Sequence, residues 1–219
     1  MSTWDYITLK FKDNQMGCKE SCVHQLFPVP VYNFSLIDND FTDVISAVKR
    51  KIKYGDVSRG ITEDNIHLDN DFSKVVKLID QPIKHVISTL GIKNNGYEIL
   101  GMWSNTRTNQ YAEHASHSHP NSYLSGVLYV ECAEPQTGDI IFERPTGINP
   151  YMFDYTNNPS FFLFDDWCLT PKVGTLLIFP SSLRHRTDNS QFVNQSRTSI
   201  SFNLMPKSSC TKPTKKKIF

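Results

Sequence analysis

A chain of 219 residues with 39% hydrophobic and 21% charged side chains can bury a core of one generous domain or two small ones, which excludes a disulfide-held mini-protein. Lys plus Arg number 23 against 22 Asp plus Glu, and a net charge of +1 argues against a nucleic-acid binder. That balance hides a closing stretch with Lys212, Lys215, Lys216 and Lys217 and no acid, so the body of the chain is slightly acidic.

Residues 1–25 are polar and weakly patterned and read as an N-terminal extension with one candidate strand, Tyr6 to Phe11. Cys18, Cys22 and His24 invite a zinc reading, but a structural zinc site needs four ligands and no second close pair follows. The five cysteines show no framework spacing and read as thiols of a reducing compartment. No stretch approaches the eighteen or so apolar residues of a membrane helix, so a cytoplasmic protein is expected.

Leu26 to Phe34 mixes β-formers with Pro28 and Pro30 and suits an edge strand or extended arm. Asp40 to Tyr54 repeats Phe41, Val44, Ile45, Val48 and Ile52 at helical spacing behind an Asn39/Asp40 cap candidate. Asp71 to Leu90 repeats the pattern, with Pro82 expected to kink or split it. After Gly91 helical periodicity gives way to short β-rich runs: Tyr97 to Asn105, Tyr123 to Glu131, Asp139 to Glu143, Gly174 to Phe179 and Arg197 to Leu204. Turn signals separate them at Asn94-Asn95-Gly96, Gln136 to Asp139 and Asp188-Asn189-Ser190. The fold expected is mostly β with α-helical support, a jelly roll whose helical layer (40–92) backs a β core (97–206), followed by a basic tail (207–219). Between Arg144 and Lys172 a long segment carries the aromatic run Phe161 to Trp167. It reads as a lid or as a partly helical insertion packed on the core.

Four of the seven histidines fall beside predicted strands: His114, His117 and His119 before Tyr123 to Glu131, and His185 after Gly174 to Phe179. In an extended segment His117 and His119 share a face, and His185 is the only later histidine that can join them. Three such donors leave half of an octahedral sphere open, as in non-haem iron oxygenases. The alternative is a group of surface histidines in a polar loop. The strand at Arg197 alternates Arg197, Ser199, Ser201 and Asn203 with Thr198, Ile200, Phe202 and Leu204. With the apolar face on the helices, Arg197 and Ser199 could hold a carboxylate inside the barrel; otherwise this is an outer strand with a solvated polar face.

Taken in order, His117-Ser-His119-Pro120, Ser125-Gly126-Val127-Leu128-Tyr129, Gly174 to Pro180, His185 and Arg197-Thr-Ser199-Ile-Ser-Phe-Asn203 resemble the iron(II)/2-oxoglutarate-dependent oxygenases. The likeness is to a bacterial and phage branch, and extends upstream to Leu26-Phe27-Pro28 and Trp103-Ser-Asn105, spanning residues 26–206. It implies a double-stranded β-helix, cupin-like, with Fe(II) held by His117, His119 and His185. It also implies that 2-oxoglutarate is held by Arg197 and Ser199, with Tyr129 and Asn105 as further cosubstrate-binding residues. The position of His119 usually carries Asp or Glu in that superfamily. A His114-x-Ser116 register offers no second ligand at the required spacing. The reaction implied is a dioxygenase reaction that consumes dioxygen and 2-oxoglutarate, releases succinate and CO2 and hydroxylates a substrate that the sequence does not name. The competing readings are a three-histidine cupin-type dioxygenase or isomerase and a non-catalytic jelly-roll binding or virion protein. A homodimer is left open.

Overall fold

Helical spacing of apolar residues builds two supports. In α1 (Thr42–Lys51) Val44, Ala47 and Val48 are buried, and in α2 (Ser73–Thr89) Val75, Ile79, Ile83, Val86 and Ile87 are buried. The computed structural model describes residues 9–11, 21–23, 28–56, 60–93, 95–107, 114–132, 138–145, 163–187 and 196–208. The carboxylate of Asp40 accepts hydrogen bonds from the amide (2.9 Å) and the hydroxyl (2.7 Å) of Thr42, which occupies one of the amides left over at the start of α1. The break expected at Pro82 does not occur, and α2 continues through it. An interior proline costs about 3 kcal/mol. Burying five aliphatic side chains on one face, each worth about 1.5–3 kcal/mol, offsets that cost.

The chain divides into two compact units, Met1–Pro30 and Val31–Phe219. In the first, β1 (Leu9–Phe11) pairs antiparallel with β2 (Ser21–Val23), so the strand expected from Tyr6 is described only over its last three residues. Cys18 and His24 lie outside the described residues, as do the tail from residue 209 and the turn at Asp188 to Ser190.

The second unit holds two antiparallel sheets. Five strands run in the order β3 (Tyr32–Ser35), β8 (Thr175–Pro180), β5 (Leu124–Cys132), β10 (Arg197–Pro206), β4 (Tyr97–Arg107). Three run in the order β7 (Asp166–Leu169), β6 (Ile140–Glu143), β9 (His185–Thr187). The expected edge strand is thus β3, with Pro28 and Pro30 just ahead of it. One face of the large sheet carries Leu124, Leu128, Leu176, Ile178 and Ile200 into a core shared with α1 and α2. The other carries Val127, Tyr129, Leu177 and Phe179 against Ile140 and Phe142 of the small sheet. A strand buried on both faces loses its polar alternation, which explains the unbroken apolar run Leu176 to Phe179.

Two local features keep the large sheet in register. Between Thr198 and Ser199 the pairing with β5 slips by one residue, so Thr198 faces Glu131 while Ser199 faces Tyr129. The extra residue, Val130, keeps the helix-side face of Leu124 and Leu128, and the slip lets Glu131 accept from the Thr198 hydroxyl at 2.6 Å. Gly126 lies opposite Phe202, and a Cβ there would come within 2.2 Å of the Phe202 ring. Because that ring is fully buried, Gly126→Ala is expected to destabilise the fold by about 1–3 kcal/mol, measured by denaturant unfolding.

The aromatic run at Phe161 departs from expectation. Asp166 and Trp167 belong to β7, paired with Glu143 and Phe142 at the edge of the small sheet, while residues 146–162 lie outside the described residues. β7 was hidden in the sequence by its acidic start and its exposed Trp167.

Candidate metal centre

The histidine segments are brought together by main-chain pairing before their side chains meet. The amide of His117 donates to the carbonyl of His185 and the amide of His185 to that of His117, both at 3.0 Å. Two residues on, the amide of His119 donates to the Ser181 carbonyl at 2.9 Å. Asn121 then takes the left-handed conformation (φ 67°) that starts β5, a geometry asparagine tolerates better than most side chains. The Ser122 hydroxyl lies 2.8 Å from that of Ser181, which in turn lies 2.8 Å from that of Ser125. Ser125 donates to Asn203 at 2.7 Å, so the serines of the His-Pro-Asn-Ser-Tyr-Leu-Ser stretch tie the loop to β8 and β10.

The result is one cluster: candidate donor atoms of His117, His119 and His185 all lie within 4.8 Å of one another. Ring centroids are 4.4 Å apart for His117 and His185, 5.1 Å for His117 and His119, and 5.2 Å for His119 and His185. His114, the other register weighed from sequence, stands on the same cavity wall with its ring 6.0 Å from that of His117, but outside the three-donor cluster.

The hydrogen bonds suit a metal. Nδ1 of His117 lies 2.7 Å from the Ala115 carbonyl and Nδ1 of His185 lies 3.0 Å from the Leu183 carbonyl. A carbonyl oxygen only accepts, so each Nδ1 carries hydrogen, which leaves Nε2 as the ring atom that can bind a ligand. Burial pushes His185 down to about 4, with its histidine neighbours adding to the shift and the Leu183 carbonyl opposing it. His119 is pushed down to about 4 by burial and then by His117 and His114. Both therefore stay neutral at physiological pH, the form a metal requires. The donor set fits a dication with open positions.

Behind the cluster, Glu143 of β6 accepts from Ser116 (2.8 Å) and from Arg186 (3.0 Å), and Arg184 donates to the Ser116 hydroxyl at 2.7 Å. The Ser116 hydroxyl, more than the arginines, holds the Glu143 carboxyl below the usual carboxylate range. Ser116 adjoins His117, and Arg184 and Arg186 flank His185, so one carboxylate braces both histidine segments.

The cavity in front of the histidines is also lined by Asn105, Tyr129, Arg197 and Ser199, so every site residue named from the sequence faces the same space. Arg197 is 3% exposed, donates from Nη1 to the Gly138 carbonyl at 2.8 Å, and has its Cζ 5.6 Å from the centre of the Tyr129 ring. The alternation of β10 resolves as inward Arg197, Ser199 and Ser201 and helix-side Ile200 and Leu204, which settles the two faces the sequence left open. Asn105 donates to Ser201 at 3.2 Å, and its buried Oδ1 has no partner among the described residues. Burial raises the Tyr129 hydroxyl, with Arg197 pulling the other way.

Two cavity residues were given no site role from the sequence, although Trp103 stands in the Trp103-Ser-Asn105 stretch of the family likeness. Trp103 lines the cavity with its ring 5.8 Å from His119, and Arg107, 4% exposed, lines it beside Tyr129. Both continue the period-two face of Asn105 along β4. Ending that strand at Asn105 hid Arg107.

Residues 101–203 match the family described as "Putative 2OG-Fe(II) oxygenase". The fold is similar to that of a prolyl-4-hydroxylase from Pseudomonas putida, at 13% identity and TM-score 0.53, over 82% of this chain and 94% of that one. It is similar to HygX from Streptomyces hygroscopicus, solved with nickel and 2-oxoglutarate bound, at 12% identity and TM-score 0.52, over 82% and 83% of the two chains. A non-heme alpha ketoglutarate dependent epimerase, SnoN from nogalamycin biosynthesis, aligns at 10% identity and TM-score 0.54 over 80% of this chain and 76% of that one. Compared with curated protein sequences, the chain matches none.

Proposed function

We propose that the chain, whose residues 101–203 match the 2OG-Fe(II) oxygenase family, uses Fe(II) and 2-oxoglutarate to oxidise a substrate, by hydroxylation, through iron held by His117, His119 and His185. The observation that carries this reading is the closeness of three imidazoles to a buried arginine in one cavity. When bound, iron and 2-oxoglutarate would let dioxygen act as the oxidant: 2-oxoglutarate gives up two electrons and becomes succinate and CO2, and the substrate gives up two and gains one oxygen atom.

The protein's part is to hold and orient. The Nε2 atoms of His117 and His185 are aimed by the Nδ1 bonds to Ala115 and Leu183, and the loop from His119 is fixed through Ser122 and Ser181. Arg197 offers a guanidinium fork to the distal carboxylate of 2-oxoglutarate, and the Ser199 and Tyr129 hydroxyls lie on the same wall. Asn105, between Ser201 and the cavity, orients the same ligand. Phe179, whose ring centre is 4.9 Å from that of His185, keeps water from the inner side of the imidazole.

No helix among the described residues is long and apolar enough to cross a membrane. The test is oxygen consumption with succinate release by the iron-loaded protein, with and without 2-oxoglutarate. Turnover that requires 2-oxoglutarate is expected. Iron-dependent turnover without it would move the protein to the three-histidine dioxygenases. Failure to bind iron(II) would leave a binding protein.

A further inference from the structure

The cosubstrate wall carries a second guanidinium that the sequence motifs do not include. Arg107, near the end of β4, is the direct cross-strand partner of Arg197 on β10, so the two side chains leave the sheet on the same face at neighbouring positions. Both are almost fully buried, at 4% and 3% exposed, and both line the cavity. The next inward pair along the same two strands is Asn105 with Ser199. Like charges set directly opposite in a sheet repel, and a buried guanidinium is costly to desolvate. Side by side on one cavity wall, the two suit a ligand of concentrated negative charge. Both cations act on the Tyr129 hydroxyl, drawing its pKa down against the rise caused first by burial and then by Cys132 and Asp139, so the two guanidiniums and the phenol share one region.

We propose that Arg107 and Arg197 together form a paired-guanidinium seat for the distal carboxylate of the 2-oxo acid cosubstrate, with Arg107 its second cation. This rests on the proposed function and deepens it. A carboxylate has two oxygens and about four lone-pair sites, so it can take a fork from Arg197 on one side and a bond from Arg107 on the other. The seat therefore selects a 2-oxo dicarboxylate over a 2-oxo monocarboxylate of similar size. Arg107 is a binding residue for the cosubstrate and has no part in holding the metal.

The test is anaerobic calorimetric titration of the iron(II)-loaded protein with 2-oxoglutarate and, separately, with 2-oxobutyrate, which keeps the chelating end and lacks the distal carboxylate. Arg107→Gln is expected to weaken 2-oxoglutarate by about 10- to 100-fold, the range for one charge-assisted hydrogen bond, while leaving 2-oxobutyrate within about twofold. Arg107→Lys, which keeps the charge and loses the fork, is expected to fall between Arg107→Gln and the parent protein. Equal weakening of both acids in the two variants would mean a structural role and would overturn the proposal. Unchanged binding of both would also overturn it. A parent protein that binds iron(II) but neither acid would instead refute the proposed function, a result separable from either. Should Arg107→Gln fail to fold, as judged by circular dichroism, the Arg107→Lys preference for 2-oxoglutarate decides alone.

Discussion

Replacing His185 with alanine is expected to weaken iron(II) binding by more than about 100-fold and to abolish turnover that depends on 2-oxoglutarate. Partners that merely orient a ligand are already worth about 10- to 100-fold in metal affinity, and removal of a donor atom costs more. His185 is 6% exposed and packs against Phe179 and Phe142, so alanine also leaves a gap in the wall. His185→Gln fills most of that gap without restoring an imidazole, and should recover stability while iron affinity stays low. Anaerobic metal titration alongside thermal unfolding separates the two effects. Iron binding in His185→Ala equal to that of the parent would remove the three-histidine centre from consideration.

Arg197→Ala should act on the other end of the ligand. Truncating one member of a buried, hydrogen-bonded charge pair costs about 2–5 kcal/mol, so the dissociation constant for 2-oxoglutarate is expected to rise by about 30- to 4,000-fold. Iron affinity should move by less than about twofold, because Arg197 is hydrogen-bonded to the Gly138 carbonyl and packs on Tyr129 rather than on any histidine. Arg197→Lys should recover only part of the loss, since a point charge cannot reproduce the planar fork. Direct titration with 2-oxoglutarate in the presence and absence of iron measures both quantities. A parallel loss of iron would mean that Arg197 supports the metal site instead.

The parts of this protein that were legible in its sequence are those where one periodicity dominates. α1 and α2 announced themselves because a single face of each is buried, and β10 because its inward arginine and serines alternate cleanly with helix-side aliphatics. The jelly roll was legible in the short strands broken by turn signals, and the family likeness, whose motifs lie on those strands and on the loop before β5, implied the same fold. Elsewhere, tertiary context decided. Pro82 sits in a helix whose buried face outweighs the cost of a lost hydrogen bond, and local preference alone reads the opposite. β7 and β9, four and three residues long, carry too few positions for a pattern and exist because β6 pairs with both. The bulge at Val130 shifts faces by one residue, which no alternation rule anticipates. Glu143 and Arg107 were missed for a shared reason: their significance lies in cross-strand neighbours far away in the chain.

The reciprocal amide bonds between His117 and His185 bear on how the centre is charged with metal. In a zinc finger the ion gathers its ligands and thereby creates the fold. Here the backbone performs that gathering, with 67 residues of chain between the two histidines closed by main-chain hydrogen bonds. Most of the entropy of bringing the donors together is thus spent during folding rather than at binding. The ion then adds stability by mass action, in proportion to the logarithm of its free concentration. Chelators should lower the melting temperature without unfolding the chain at ambient temperature, and a protein stripped of iron should be reloadable in a single fast step.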